Sequence, residues 1–336
     1  MENILFLAFV EADGALPKAA LEALGAAQQL GGSLTVGLIG AEVQAAANAL
    51  ANCGAKILAV SGPEFAQARY ASDAAAAEAI ARRSNASLIL VPSSTRSARA
   101  MAGVAHRLGG RVDTHITAVA ADGGKPNVSR WYYRQRMEAV VERAQRPWVI
   151  LLESGCHAAY DGAPGNATVE SVSADLPDSH KRTQVLGVRV PQADRQTIRP
   201  DAKVLFVAGA GWTKKQADGQ VHGAEAEQLI LGFLANSGAS LGGSKSLVDQ
   251  SGEGQAVLGF MTHLNQVGQT GATPRHPKGL STCCHGEEPH VVGWRFINER
   301  RAVNLDPNCG WARSKADVLY VADAFEVMRE LNQLLK

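Results

Sequence analysis

The chain has 336 residues, 46% hydrophobic and 19% charged, a balance typical of globular protein and a length that accommodates two domains of ordinary size. Thirty-three Lys and Arg against thirty-two Asp and Glu leave a formal charge of +1 with no basic stripe to follow a phosphate backbone, which argues against nucleic acid as a partner. The apolar run in MENILFLAFVEADG is much shorter than a membrane span, and Cys53, Cys156, Cys283, Cys284 and Cys309 form no CxxC pair, so no membrane insertion and a reduced, cytoplasmic setting are expected.

In chain order, short apolar runs alternate with Ala-rich amphipathic stretches, the pattern of βαβ units and a mostly parallel sheet. Strands are expected at Asn3 to Val10, Leu34 to Ile39, Lys56 to Val60, Ser87 to Val91, Ile116 to Ala120 and Trp148 to Leu152. Their nearly unbroken hydrophobicity suits strands covered on both faces. Helices are expected at Pro17 to Leu30, Glu42 to Cys53, Ser72 to Ser84 and Thr95 to Leu108, several opened by Ser, Thr or Pro and three closed by Gly31-Gly32, Gly54 and Gly109-Gly110.

Beyond Glu153 the rhythm dissolves into a stretch rich in Gly, Pro, Asp and Ser, with a short strand at Gln184 to Val190 as its one element. The expected division is an amino-terminal α/β domain over 1–154, a link over 155–200 and a second α/β domain over 201–336. In the last, the pattern predicts a strand at Lys203 to Ala208, a helix at Ala224 to Ser237, strands near Ala302 to Leu305 and Val318 to Val321, and a closing helix at Ala324 to Leu335. No fixed-period repeat and no long low-complexity tract occurs.

Chemistry gathers at three glycine-bearing strings. Ala208-Gly209-Ala210-Gly211 ends the first strand of the second domain, Gly242-Gly243-Ser244-Lys245 follows another candidate strand, and Asn265-Gln266-Val267-Gly268-Gln269-Thr270-Gly271 is a polar segment with two glycines. Carboxyl ends of strands are where open α/β sheets bind ligands, and glycine lets phosphates approach backbone amides. None of the strings is GxGxxG, so the usual nicotinamide dinucleotide mode is not indicated. Taken alone, the 265–271 segment reads better as a polar surface loop with glycine turns than as a ligand site.

Taken in order, AGAG, GGSKSLVD, NQVGQTG, the 290–293 region, VNLDP and the ADV before the last strand resemble the carboxy-terminal FAD domain of electron-transfer flavoprotein alpha subunits. STRSARAMAGVAHRLGGRVDT resembles that family's first domain, so the likeness spans nearly the whole chain. It implies a Rossmann-like FAD-binding second domain and a beta subunit as partner, bound through the first domain. A donor dehydrogenase and a downstream acceptor would complete the relay, with the chain serving as an electron carrier and converting no substrate itself. By the same resemblance Gln266, Val267, Gly268, Gln269, Thr270 and Gly271 lie against the flavin and ribityl chain, and Ser244 and Lys245 near ribityl and pyrophosphate. His290 falls near the flavin C2 carbonyl, with His285 and Gly286 in the same region. Asn304 and Asp306 match an INKDP-like strand end, and Asp317 an Asp associated with the adenosine.

The departures are as specific. The family's GGRGL is AGAGW here, so Ala210, between Gly209 and Gly211, stands where an Arg beside the flavin is expected. HGEEPH over 285–290 replaces SGAIQH and loses a pyrophosphate-facing Ser, while Glu287 and Glu288 either face solvent or meet Lys245, Arg275 or Lys278. A degenerate alpha subunit that keeps the fold and binds FAD weakly or not at all is therefore the alternative. A free-standing nucleotide enzyme would need a catalytic group near 208–211, where Lys214 and Asp218 lack supporting spacing. Cys283-Cys284-His285 reads as a thiol or metal site or as a small-residue strand end, and the spacing favours the latter. The run Arg130, Tyr132, Tyr133, Arg134, Arg136 suits a partner surface or a solvated strand face better than nucleic acid. Trp212, Trp294 and Trp311 are expected to pack.

Overall fold

The computed structural model describes residues 2–132, 137–187, 198–199, 202–250, 257–267, 275–282 and 297–336, with Trp311 described by its backbone alone. The chain divides into two compact units, Met1–Val188 and Arg189–Lys336. Both are α/β with predominantly parallel sheets, as the alternation of apolar runs and amphipathic stretches implies.

The first unit runs β1 (Asn3–Phe9), α1 (Lys18–Gln29), β2 (Ser33–Gly40), α2 (Gln44–Ala49), β3 (Lys56–Ser61), α3 (Tyr70–Ser84), β4 (Leu88–Pro92), α4 (Thr95–Arg107), β5 (Arg111–Asp122), β6 (Lys125–Tyr132), β7 (Met137–Val141), β8 (Trp148–Leu152) and β9 (Val169–Ser171). The sheet order is β7-β6-β5-β8-β4-β1-β2-β3-β9. Along β1, Ile4, Phe6 and Ala8 enter a core with α1 and α2, while Leu5, Leu7 and Phe9 enter another with α3 and α4. This two-sided burial explains why the strand sequences are unbroken rather than alternating. The helix expected over 42–53 is shorter: after Ala49 the chain tightens into i→i+3 bonds from Leu50, Ala51 and Cys53 before Gly54 turns at φ +75°.

The hairpin β5–β6–β7 is an antiparallel annex. Gly123 and Gly124, both at positive φ (54° and 79°), make the two-residue turn that pairs Asp122 with Lys125. The expected strand Ile116 to Ala120 lies inside β5. At the foot of the annex, buried Asp113 accepts from the Arg143 guanidinium at 2.8 Å twice and from Trp148 Nε1 at 2.9 Å, with Arg130 at 3.7 Å. Burial alone raises the Asp113 pKa; the Arg143 and Trp148 bonds and the two guanidinium charges outweigh it and hold it below the ordinary carboxylate value.

The stretch 155–187 packs along this first unit. Gly155 N donates to buried Glu22 at 2.6 Å, Tyr160 N to Leu21 O at 3.0 Å, and β9 pairs in parallel with β3. Gly25 on α1 is required for that approach, because a Cβ there would lie 2.5 Å from Ala158 O. Of the strand expected at Gln184 to Val190, residues 184–187 carry no regular structure and 188–190 lie outside the described residues.

The second unit contains β10 (Val204–Ala208), α5 (Gly223–Ser237), β11 (Ser240–Gly243), α6 (Lys245–Asp249), β12 (Lys278–Thr282), β13 (Glu299–Asn304), α7 (Gly310–Lys315), β14 (Val318–Val321) and α8 (Ala324–Leu334). All strand pairs are parallel, in the order β11-β10-β12-β13-β14. Phe206 and Ala208 pack against α5 and α8, and Leu205 and Val207 against Val267, Ile297 and α7. Among the described residues, no helix is long and apolar enough to cross a membrane.

Candidate functional site

The first two strands of the second unit, β10 and β11, are neighbours, and the chain then crosses back so that β12 lies on the other side of β10. The connections leaving β10 (to β11) and β12 (to β13) run to opposite sides, which makes the carboxyl ends of β10 and β12 the standard ligand position in a doubly wound sheet. The strand ends carrying the glycine strings meet here.

After Ala208, Gly209 N donates to Thr282 O at 2.9 Å, and the chain makes a 3-10 turn, Ala210–Thr213, whose four residues are all buried. Trp212 anchors the turn: it is fully buried, its Nε1 donates to Thr282 Oγ1 at 2.8 Å, and its ring packs 4.6 Å from that of Phe325. The Thr213 hydroxyl lies 2.9 Å from Ala210 O and 2.6 Å from Gln250 Oε1. Ala210 is 4% exposed, so the position where the resemblance leads one to expect an Arg is a tight one.

On the β11 side, Ser244 N donates to Ala208 O at 2.9 Å, and Ser244 Oγ caps α6 by accepting from Leu247 N at 3.2 Å. Lys245 pairs with Asp249 one turn on, and His263 Nδ1 stands 3.7 Å from the same carboxylate. The segment 262–267 lies directly on β11: Val267 N donates to Gly243 O at 3.0 Å, and Gln266 and Gly243 form a parallel bridge. Only glycine at 242 allows this, since a Cβ would sit 2.6 Å from Val267 Cγ2. Gln266 is thereby buried at the strand end, within 3.5 Å of His263 Nδ1. Gly268, Gln269, Thr270, Gly271, His285, Gly286 and His290 lie outside the described residues, as do Cys283 and Cys284.

At the far side, Asn304 ends β13 and its Oδ1 accepts from Asp306 N at 2.9 Å, while Asp306 Oδ1 accepts from Asn308 N at 2.8 Å. Asp317 is not with them. It precedes β14, opposite Arg300, to which it bonds at 2.7 Å through both guanidinium and backbone N–H. The Arg300 bonds hold its pKa below the ordinary value. Four residues of strand, roughly 13 Å, separate it from the Asn304 end. The carboxylate at the Asn304 end is instead Asp323, which follows β14 and caps α8 by accepting from Phe325 N at 2.7 Å and Glu326 N at 3.2 Å. Its sequence signal is an Asp at the end of an apolar strand with Glu three residues into the helix. Gln216, from the loop after the Trp212 turn, reaches the same place.

Residues 5–177 match the electron transfer flavoprotein domain family, just over half of the chain. The chain belongs to the electron transfer flavoprotein family. No curated protein matches it.

Members of this family are flavoproteins, so the donor chemistry of the second sheet can be set against a flavin dinucleotide. The described carboxyl edge offers a capping hydroxyl (Ser244), a cation (Lys245), an imidazole (His263), an amide (Gln266) and an amide–carboxylate pair (Asn304, Asp323) around glycine turns. Hydroxyl, amide and cation suit phosphate and ribityl oxygens, and the amide–carboxylate pair suits ribose hydroxyls, so the set fits. Among the described residues no group of three or more His, Cys, Asp or Glu could hold a metal ion. In the first unit Arg130 stacks 4.6 Å over Tyr132; Tyr133, Arg134 and Arg136 are outside the described residues.

Proposed function

We propose that the chain is the alpha subunit of a heterodimeric electron-transfer flavoprotein of the cytoplasm. It would hold one FAD over the carboxyl edge of the second sheet and relay electrons from a partner dehydrogenase to a downstream acceptor. The observation that carries the reading is the convergence of the Gly209–Thr213 turn, the Ser244 cap and buried Gln266 at the reversal of a doubly wound sheet. FAD, when bound, supplies the one- and two-electron chemistry. The chain's own residues hold and orient: Gln266 and the 268–271 string against the flavin and ribityl chain, Ser244 and Lys245 toward the pyrophosphate, and Asn304, Asp306 and Asp323 toward the ribose. Lys245 would exchange Asp249 for phosphate, a point charge without bidentate geometry.

A specific observation favours a second reading, an alpha subunit with weak or no FAD binding. Ala210 supplies no cation, its turn is closed by Trp212, and Lys245 is already paired. Flavin content distinguishes the two. The chain co-expressed with its beta subunit is expected to purify as a one-to-one complex holding about one FAD; a folded complex that neither carries nor takes up FAD would establish the second reading.

A further inference from the structure

The loop 214–222 is folded on itself by its own bonds. Gln216 N donates to Gln220 O at 2.8 Å and Gly219 N to Gln216 O at 2.9 Å, with Gly219 at φ +77°, as an Asp-Gly turn requires. Gln216 Nε2 donates to Lys214 O at 2.7 Å and Gly211 O at 3.1 Å, tying the turn to the buried Trp212 segment. Asp218 accepts from Gln220 N at 2.9 Å and pairs with His222 at 2.8 Å, and the His222 ring meets Phe325 edge-on at 6.2 Å. Phe325 lies two residues beyond Asp323. A polar, solvent-facing segment is thus tied at one end to the Trp212 turn after β10 and rests at the other on Phe325 of α8, with Gln216 beside the ends of β13 and β14.

What it leaves there is small. Gln216, Asn304, Leu305, Ala322, Asp323 and Phe325 line a crevice of about 10 Å³, enough for a single water and far below a nucleoside. Resting on the FAD reading above, the flavin half falls beside β11, where Gln266 sits, and the nucleotide half crosses toward β13 and β14, three and four strand spacings or roughly 14 and 19 Å away. We infer that the 214–222 loop is a gate over the adenosine subsite: latched, it leaves no room for the nucleoside beside Asn304 and Asp323, and it must lift before the adenosine half is bound. Gln216 is then a specificity-determining residue, because it discriminates against the half of the cofactor that carries the nucleoside and leaves the flavin half untouched.

The test uses the full-length chain with ADP, FMN and FAD as separate probes in titration calorimetry, across wild type, Gln216→Ala, His222→Ala and a variant in which 215–220 is replaced by two glycines. Apparent affinity falls by the fraction of molecules in the competent state, so a gate open one time in ten costs tenfold. The unlatched variants are expected to bind ADP and FAD about three- to tenfold more tightly with FMN unchanged. In the wild type, ADP is expected to strip hydrogen-exchange protection from the Gly219 and Gln220 amides. Unchanged or weakened ADP affinity in all three variants, with FAD still bound, would overturn the gate and leave the FAD reading standing. Absence of FAD, FMN and ADP binding from every variant would overturn both.

Discussion

At the amino end of the five-stranded sheet, Asp317 and Arg300 grip each other across β14 and β13, and buried His276 stands 2.9 Å from Ser240 Oγ and 3.0 Å from Arg199 O. At the carboxyl end, the polar groups cap helix starts and close turns: Ser244 on α6, Asp323 on α8, Asn304 on the chain toward Asp306. The amino-end groups are spent on one another over long sequence separations. Those at the carboxyl end combine short local caps with two long-range bonds at the Trp212 turn, Trp212 to Thr282 and Thr213 to Gln250, and they stand at strand ends, the usual ligand position in such a sheet. Polarity and burial alone do not separate the two ends; the direction of the strands does.

The strongest way to break that comparison is to remove its anchor. Trp212→Ala should cost about 3–5 kcal/mol, the usual penalty for emptying a large buried aromatic, and should lower the urea midpoint of the second unit. A loss below about 1 kcal/mol would mean that the 210–213 turn is not pinned as described. Next in size is Ala210→Arg, which would restore the family's cation at a position 4% exposed. An unpaired guanidinium there should destabilise by about 3 kcal/mol. A variant as stable as wild type, with a raised flavin potential, would place the turn in the open beside the flavin instead.

Asp323 and Asp317 sharpen the contrast between the ends. Asp323→Ala should cost about 1 kcal/mol as a lost cap and weaken FAD about tenfold, whereas Asp323→Asn should keep the cap and reveal the binding effect alone. Asp317→Ala should leave FAD affinity unchanged, and a fall as large as that of the Asp323 variants would return the adenosine contact to Asp317. The smallest effect is in pH. With its folded pKa depressed by Arg300, Asp317 contributes stability above its unfolded carboxylate pKa, and this is lost as pH falls through the lower folded value. Asp317→Asn should flatten that part of the acid unfolding curve.

The first unit was the more legible in the sequence. Its strands are continuous apolar runs because both faces are covered, and Gly31, Gly54 and Gly109 end helices at positive φ as composition alone suggests. The annex β6–β7 was not delimited as strands despite its Asp-Gly-Gly-Lys turn and showed only as a partner surface or solvated strand face at 130–136, since half-exposed residues such as Trp131 and Met137 do not make an apolar run. β12 was legible only as a strand end before 283–285, and its bounds escaped for a different reason: KGLST holds one large apolar residue, and its burial comes from neighbours on either side. In the second unit the glycines at the ends of β10 and β11 were readable from composition, and the structure places Gln266 beside Gly243. Asp317 and Asp323 were not distinguishable, because each adjoins the same four-residue strand and only register tells which end of the sheet each occupies.

The central claim is that the carboxyl edge of the second sheet holds FAD, and the most direct measurement is the flavin absorption of the purified heterodimer, wild type against Gln266→Ala. Gln266 is buried at the edge and its backbone bridges Gly243, so the side chain can be shortened without breaking the segment's attachment. The account predicts about one FAD per wild-type complex, and a shifted spectrum or reduced retention in the variant with the fold intact. Full occupancy and an identical spectrum in both would contradict it, because the flavin would then lie away from the edge at which Gln266 is held.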